Sequence, residues 1–153
     1  MASRVGKFGL SALCLLWFSA PALAEDECRF YTYKAEITDV YDGDTVTANI
    51  DLGFHTWRHG EKLRLYGIDT PELAARAGHP LADGEKERAI KARDALRSLI
   101  LHKEVVLCTI KDKQGKFGRY LVKITTMDGL DVNEWLVSKG YAKPYMREAA
   151  SLN

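Results

Sequence analysis

The residues that could do chemistry are acids placed where short strands should end. Asp42 and Asp44 flank Gly43, and Asp69 begins a run of the form Asp-Thr-Pro-Glu. Carboxylates at the ends of two neighbouring strands can together bind one hard metal ion, since such ions prefer oxygen ligands. Arg64 lies between the two motifs in the sequence, and a guanidinium grips phosphate through paired hydrogen bonds. The combination predicts phosphodiester chemistry.

Each of these features also has a purely structural interpretation. Asp-Gly between alternating residues is a common hairpin signal, and Asp-Thr-Pro-Glu is typical of a turn or of a helix start. Arg64 inside a strand could form a buried ion pair with Asp69, and Glu72 could simply follow a proline. The order and spacing of the motifs, more than any one of them, favour a functional site.

The first residues are typical of an export signal. Arg4 and Lys7 precede an apolar run at 8–18, and Ala22-Leu-Ala24 matches a signal cleavage site. That run is too short to span a bilayer, so no membrane association is expected after cleavage. The predicted organisation is a signal peptide at 1–24, one domain at 25–146 and a polar tail at 147–153. We expect a secreted or periplasmic monomer.

The chain carries 22 basic and 21 acidic residues, a formal net charge of +1. Such a balance lacks the general basic footprint of many nucleic-acid-binding proteins. Binding to nucleic acid would need a local basic cluster, and the lysines could equally form a solvated face. The candidates for that cluster are Lys62, Arg64, Lys111, Lys113, Lys116 and Arg119.

Two cysteines follow the predicted signal, Cys28 and Cys108. An exported protein meets an oxidising compartment, so a disulfide between them is one possibility. Cys108 also alternates with Val106 and Ile110 and could be an ordinary buried thiol. The sequence leaves both interpretations open.

Hydrophobic periodicity predicts five strands and two helices. A helix at 84–101 has apolar residues at helical spacing, and Asp131 can cap a short helix that ends near Gly140. Five strands with one helix after the third fit an α+β, mainly β, fold: a five-stranded OB-fold barrel with a short C-terminal helix. The predicted strands are 31–40, 45–52, 62–68, 104–110 and 120–125.

The chain resembles the staphylococcal nuclease, or thermonuclease, family of calcium-dependent secreted nucleases over about 35–145. Four motifs occur in the family's order at compatible spacings. They are Val40-Tyr-Asp-Gly-Asp-Thr45, Leu63-Arg-Leu-Tyr-Gly-Ile-Asp-Thr-Pro-Glu72, Lys116-Phe-Gly-Arg119 and Val132-Asn-Glu-Trp-Leu-Val137.

The resemblance implies a site around one Ca²⁺ ion. It implies that Asp44 and Asp69 ligate calcium through carboxylates and Thr70 through its backbone carbonyl. Asp42 is expected to support this site through turn hydrogen bonds and not as a ligand, and Thr45 is a second supporting residue.

The resemblance also implies the catalytic residues. Arg64 and Arg119 match the family's two arginines, which would clamp the phosphate and stabilise charge in the transition state. Glu72 matches the residue that positions or deprotonates the attacking water. The sequence does not decide between those two roles of Glu72.

Substrate binding is where the chain departs from the family pattern. Lys116 and Phe117 lie in the substrate-binding motif, and Phe117 replaces a tyrosine whose hydroxyl reaches a substrate phosphate. That loss costs about 0.5–1.5 kcal/mol of binding, too little to abolish chemistry. Tyr141 and Tyr145 could replace the family's base-stacking tyrosines, or could cover the end of the barrel.

The expected function is hydrolysis of phosphodiester bonds in DNA and RNA to 3′-phosphate products. A second interpretation is a catalytically weak nucleic-acid or protein binding module on the same fold. A third is a calcium module that does not bind phosphate, which would not require Arg64 and Arg119.

Overall fold

A computed structural model describes residues 31–75, 78–114 and 119–145, with the backbone alone at 111–114. The predicted signal peptide and polar tail lie outside these residues, as do Cys28, Lys116 and Phe117. Nine elements occur within them. In chain order they are β1 (Thr32–Val40), β2 (Thr45–Asp51), β3 (Trp57–Leu65), β4 (Ile68–Asp69), α1 (Glu85–Ile100), β5 (Glu104–Gln114), β6 (Tyr120–Thr126), α2 (Val132–Ser138) and β7 (Lys143–Pro144).

Five of the strands close into a barrel in the order β1-β2-β3-β6-β5. All neighbours pair antiparallel except β3 and β6, which run parallel from the Leu63–Tyr120 pair to the Leu65–Val122 pair. Because α1 intervenes between β3 and β5, the barrel has the arrangement expected of an OB fold. The predicted fold class is confirmed.

Alternation along the strands separates the core from the outer face of the barrel. On β2, Val46, Ala48 and Ile50 are buried in the core. The residues between them, at 45, 47, 49 and 51, therefore point outward, because side chains alternate along a strand. Helix α1 buries Ala89, Ala92, Leu96 and Ile100, which recur at helical spacing and cover one side of the barrel.

Helix α2 is fixed at its start by two polar side chains. Asp131 caps it, since its Oδ1 accepts a hydrogen bond from Glu134 N at 2.9 Å, as the sequence predicts. Buried Asn133 accepts from Ile124 N at 3.1 Å and donates to Tyr66 O at 2.9 Å. Asn133 therefore ties α2 to β6 and to the turn after β3.

The predicted bounds of the third strand are wrong. The strand covers 57–65 instead of 62–68, because Gly60, with φ 69°, allows a bulge where the β2–β3 register shifts between Ala48 and Ile50. It ends before Gly67, which has φ 77° and turns the chain. After that turn, β4 pairs with β7 in a two-stranded sheet that the sequence does not predict.

Within the described ranges, no helix is both long enough and apolar enough to cross a membrane.

Candidate functional site

The turn between β1 and β2 places the first acidic motif. Tyr41 N donates to Thr45 O at 2.9 Å, and Asp44 N donates to Asp42 Oδ1 at 3.1 Å. One carboxylate oxygen of Asp42 therefore accepts a hydrogen bond within the turn, as expected of a residue that supports the site. The turn points Asp44 inward, where it is 2% exposed.

Gly43 is required in this turn by close packing. A Cβ atom at Gly43 would lie 2.9 Å from Ala92 Cβ and 2.9 Å from Thr70 Cγ2. The acidic turn thus rests directly on α1 and on the segment that follows β4. Both acidic motifs share this contact.

We expect Gly43→Ala to destabilise the protein by about 1–3 kcal/mol, the usual cost of forcing an extra carbon into a packed site. Thermal or urea unfolding measures the change. Gly129→Ala gives the cost of backbone strain without a clash, because its Cβ would meet nothing within 4 Å while its φ of 90° disfavours a side chain. A Gly43→Ala protein as stable as wild type would contradict this packing.

Arg64 brings the two acidic motifs together. Its Nη1 donates to Asp44 Oδ1 at 3.0 Å and its Nη2 lies 2.9 Å from Asp44 Oδ2, which is a bidentate pair. The same Nη2 lies 2.9 Å from Asp69 Oδ1. One guanidinium therefore binds two carboxylates from different strands, and the ion pair with Asp69 considered in the sequence exists. Arg64 is still partly accessible, because 18% of its side chain is exposed.

Thr70, Thr45 and Arg119 complete the contacts around Asp44. Thr70 N approaches Asp44 Oδ2 at 3.4 Å, and Thr45 Oγ1 donates to Asp44 Oδ1 at 3.1 Å. Arg119, just before β6, donates from Nη1 to Thr45 Oγ1 at 3.1 Å. The structure thus brings two arginines and two aspartates to one end of the β2–β3 pair.

The pKa of the Asp44 carboxyl is raised from 3.8 to about 7, and burial is the largest cause. The nearby charges of Asp42 and Asp69 also raise this pKa, while Arg64 and the Thr45 hydroxyl oppose the rise. Asp44 is therefore a carboxylate whose ionised form needs a cation.

This pKa predicts that the metal-free protein loses stability as the pH rises from about 4 to about 7. In that window folded Asp44 holds a proton that the unfolded chain has released, so raising the pH favours unfolding. The effect is on the order of a few kcal/mol, since one pKa unit corresponds to about 1.4 kcal/mol. Unfolding free energies at several pH values, in chelator, measure the slope.

Asp44→Asn is the matched control for that slope, because the amide does not titrate. Asp42, Arg64 and Asp69 remain in place in this variant. The difference between the two pH profiles isolates Asp44, and parallel profiles would mean that Asp44 titrates at its ordinary value.

Glu72 lies just beyond the two acidic motifs. It follows Asp69 by three residues, which limits the distance between their Cα atoms to about 11 Å. Its backbone N donates to Glu85 Oε1 at 3.3 Å, while Glu85 Oε2 accepts from Ala82 N at 2.8 Å. Glu85, at the start of α1, thus positions the backbone of Glu72. This role of Glu85 is not predicted from the sequence, although an acid in the first turn of α1 was an available signal.

The two C-terminal tyrosines, Tyr141 and Tyr145, have different environments in the structure. Tyr141 packs on the core and its ring lies 5.8 Å from that of Trp135, so it covers the barrel instead of presenting a stacking surface. Tyr145 is 50% exposed, and its N donates to Gly67 O at 2.8 Å. The β4–β7 pairing also sets Lys143 opposite Asp69, a neighbour that the sequence analysis did not identify.

The remaining predicted residues are only partly described. Lys62 is exposed on β3 next to the site, whereas the side chains of Lys111 and Lys113 lie outside the description. Cys108 is disulfide-bonded and 6% exposed, so it is not a free thiol. Its pairing with Cys28 stays a prediction, because Cys28 lies outside the described residues.

The residues around Arg64 fit a calcium ion. Asp44 Oδ2 and Asp69 Oδ1 already share one cationic nitrogen, and calcium prefers such oxygen donors in a loose shell. Among the residues that the structure describes, no three His, Cys, Asp or Glu side chains form a metal-binding group. The shell would therefore need a backbone carbonyl, as predicted for Thr70, together with water or substrate oxygens.

A closed five-stranded barrel with arginines and acids at one end of its second and third strands defines the class: an OB-fold protein with a polar, charged cluster at the end of that strand pair. Residues 62–152 match the family model of the staphylococcal nuclease homologues, and the chain belongs to that family. The resemblance stated from the motifs is confirmed.

Several relatives align with most of the chain. An uncharacterized protein from Methanocaldococcus jannaschii is 31% identical over 74% of this chain. Endonuclease YhcR from Bacillus subtilis is 27% identical over 82% of it, and an uncharacterized endonuclease from Escherichia coli is 28% identical over 87%. The aligned region spans 60%, 10% and 71% of these three proteins, respectively. The aligned region therefore covers less than two thirds of the first two of these relatives.

Proposed function

We propose that this protein is an exported, calcium-dependent nuclease that hydrolyses DNA and RNA to 3′-phosphate products. The observation that carries the proposal is the contact of Arg64 with both Asp44 and Asp69 at 2.9–3.0 Å. A second arginine, Arg119, joins them through Thr45. Two guanidinium groups beside two carboxylates suit phosphodiester hydrolysis, because the first can bind phosphate oxygens and the second can bind a metal ion. The endonuclease names of two relatives agree with this proposal.

The two arginines bind and polarise the phosphate. Each presents a planar set of donors that matches phosphate oxygens, and together they offset the negative charge that grows on those oxygens as water attacks. Asp44 and Asp69 hold the guanidinium of Arg64 at the site through these contacts. Arg119 is positioned by the Thr45 hydroxyl.

Glu72 orients the attacking water and accepts its proton. The water oxygen bonds to phosphorus, the bond from phosphorus to the 5′ oxygen breaks, and the proton completes the 5′ hydroxyl of the leaving strand. The phosphate then stays on the 3′ oxygen. A carboxylate base of this kind contributes about 10²–10⁴-fold to the rate.

Asp44, Asp69 and the Thr70 carbonyl would hold the calcium ion. When bound, calcium neutralises charge on a phosphate oxygen and helps to fix the substrate. A cation that binds both aspartates competes with Arg64 Nη2 for the same oxygens. Calcium held by both aspartates would leave donors of Arg64 for the phosphate.

The substrate is a single-stranded or locally opened strand of either nucleic acid. All of these groups act on the backbone, so little base preference is expected. The predicted export signal places the activity in the periplasm or outside the cell, and we propose that the protein acts as a monomer.

We expect chelation to abolish digestion of plasmid DNA and of RNA, calcium to restore it, and magnesium to substitute poorly. Magnesium demands a tighter octahedral shell than this loose donor set provides. The measurement is a time course with chelator, then with each metal, and an Asp69→Asn protein serves as the matched control for the site. Full activity in chelator would remove calcium from the proposal. Substrate binding without cleavage under every condition would favour a binding module.

A further inference from the structure

The β2–β3 hairpin carries an exposed pair of aromatic rings that the proposed mechanism does not use. Trp57 and His59 stack with their ring centroids 6.2 Å apart and their planes 12° from parallel. Trp57 is 44% exposed, although large aromatic side chains usually find a place in a core. The pair therefore presents a flat ring surface to solvent.

Strand register places this pair on the same face of the barrel as the candidate site. Arg64 pairs with Thr45, Lys62 with Thr47 and Trp57 with Asp51, and these β2 partners all point outward. The bulge at Gly60 shifts the alternation by one residue, which keeps Trp57 and His59 on the side of Lys62 and Arg64. The outer face of β3 thus carries Arg64, Lys62, His59 and Trp57 in succession.

On the opposite face of the same strand, the charged side chains contact other residues of the protein. Arg58 forms an ion pair with Glu61 at 2.7 Å, and its guanidinium lies 5.6 Å from the centre of the Tyr120 ring. Those residues line a cavity at the end of the barrel together with Tyr33 and Ile50. On the outer face, the acid opposite Trp57 is Asp51. Its carboxylate accepts a hydrogen bond from Gly53 N at 2.8 Å within the turn.

We propose that the outer face of β3 from Arg64 to Trp57 binds the single-stranded nucleic acid beyond the scissile phosphate. Bases stack on the Trp57–His59 pair, and Lys62 contacts the intervening backbone. The proposal rests on the proposed nuclease function, because Arg64 marks where the phosphate lies.

The dimensions and chemistry fit this occupant. The eight residues from Trp57 to Arg64 span roughly 20 Å, because their seven steps of about 3.3 Å are shortened slightly by the bulge. Single-strand binding by OB folds covers about 4–16 nucleotides and combines basic residues with aromatic platforms. The face that OB folds use for oligonucleotides is the one formed by their second and third strands. Continuity with Arg64 and the presence of Lys62 favour nucleic acid over a protein partner.

The test uses the full chain and labelled oligothymidylates of about three and about twelve nucleotides, lengths below and within the OB-fold footprint. Binding is measured in chelator, where no turnover is proposed, and kcat/KM is measured with calcium. We expect Trp57→Ala to weaken binding of the long oligonucleotide by about 5- to 100-fold, the scale of one lost stacking contact. Binding of the short one should not change.

Matched variants separate stacking from general damage to the hairpin. Trp57→Phe keeps a ring and should retain most of the affinity, whereas Trp57→Leu keeps an apolar side chain and should behave as Trp57→Ala. His59→Ala should give a smaller loss with the same length dependence. Met127→Ala, which removes an exposed apolar side chain from the turn after β6, should change nothing.

The outcomes distinguish this inference from the proposed function. If wild type cleaves both lengths and Trp57→Leu equals wild type, the inference is overturned while the nuclease proposal stands, and the ring pair belongs to a protein partner or to hairpin stability. If no cleavage occurs with calcium but binding still depends on length and on Trp57, the inference stands without the nuclease. Equal losses on both lengths would also overturn it.

Discussion

Glu72→Gln should lower turnover by about 10²–10⁴-fold, the contribution typical of a positioned general base. Binding of substrate should change little. The amide has nearly the same shape as the carboxylate but cannot accept the proton of the attacking water. A group that acts mainly in the transition state affects kcat much more than it affects ground-state binding.

The measurement is single-turnover cleavage of an oligonucleotide with calcium, alongside its dissociation constant in chelator. Glu87→Gln is the matched control, because Glu87 lies exposed on the first turn of α1, near Glu85. Glu85→Gln is an informative companion, since it weakens the acceptor for Glu72 N without removing the base. A near wild-type rate in Glu72→Gln would exclude Glu72 from the mechanism.

Two features of the structure, a turn at the site and the caps of a helix, could be predicted because they are local. The Asp42-Gly43-Asp44 turn follows from turn chemistry, and the caps of α2 follow from Asp131 and Gly140. The barrel followed from the count of strands and the position of the single long helix. In the turn and in the caps, residues close together in the chain determine the geometry.

Other features depend on contacts between distant parts of the chain. The close approach of Gly43 to Ala92 and Thr70 brings the first turn, α1 and the end of β4 together, and no local pattern encodes it. The pairing of β4 with β7 likewise joins residues 68–69 to 143–144, and each strand is only two residues long. Strands that short have no periodicity to detect. Lys143 therefore lies opposite Asp69 without any sequence signal, whereas Tyr145 was named only through the family resemblance.

The packing of Tyr141 also depends on a contact with a residue from another element. Its position in the sequence suggested either base stacking or a barrel cover, and both uses suit an aromatic side chain. Trp135, one helical turn and a loop away, selects the second use by supplying a ring at 5.8 Å. The residue type alone is compatible with both uses, and the tertiary contact with Trp135 determines which of them Tyr141 adopts.

Arg64→Lys should reduce kcat by about 10²–10³-fold, the cost of removing one preorganised donor from a transition state. The reason is that Arg64 uses both of its Nη atoms to contact the two carboxylates. In the structure, both Nη atoms engage Asp44, and Nη2 also reaches Asp69. A lysine ammonium is a single point of charge and cannot reproduce that planar fork, so it loses either the carboxylates or the phosphate.

The same substitution should also cost stability in the absence of metal, because Asp44 is 2% exposed and loses part of its partner. Rate and unfolding are measured together, with Arg93→Lys as the control, since Arg93 pairs only with its neighbour Asp94 among the contacts described on α1. An active, equally stable Arg64→Lys protein would mean that Arg64 supplies only charge. Calcium titration then separates the two roles: if Arg64 and the metal compete for Asp44 and Asp69, calcium should restore the stability of Arg64→Lys but not its rate.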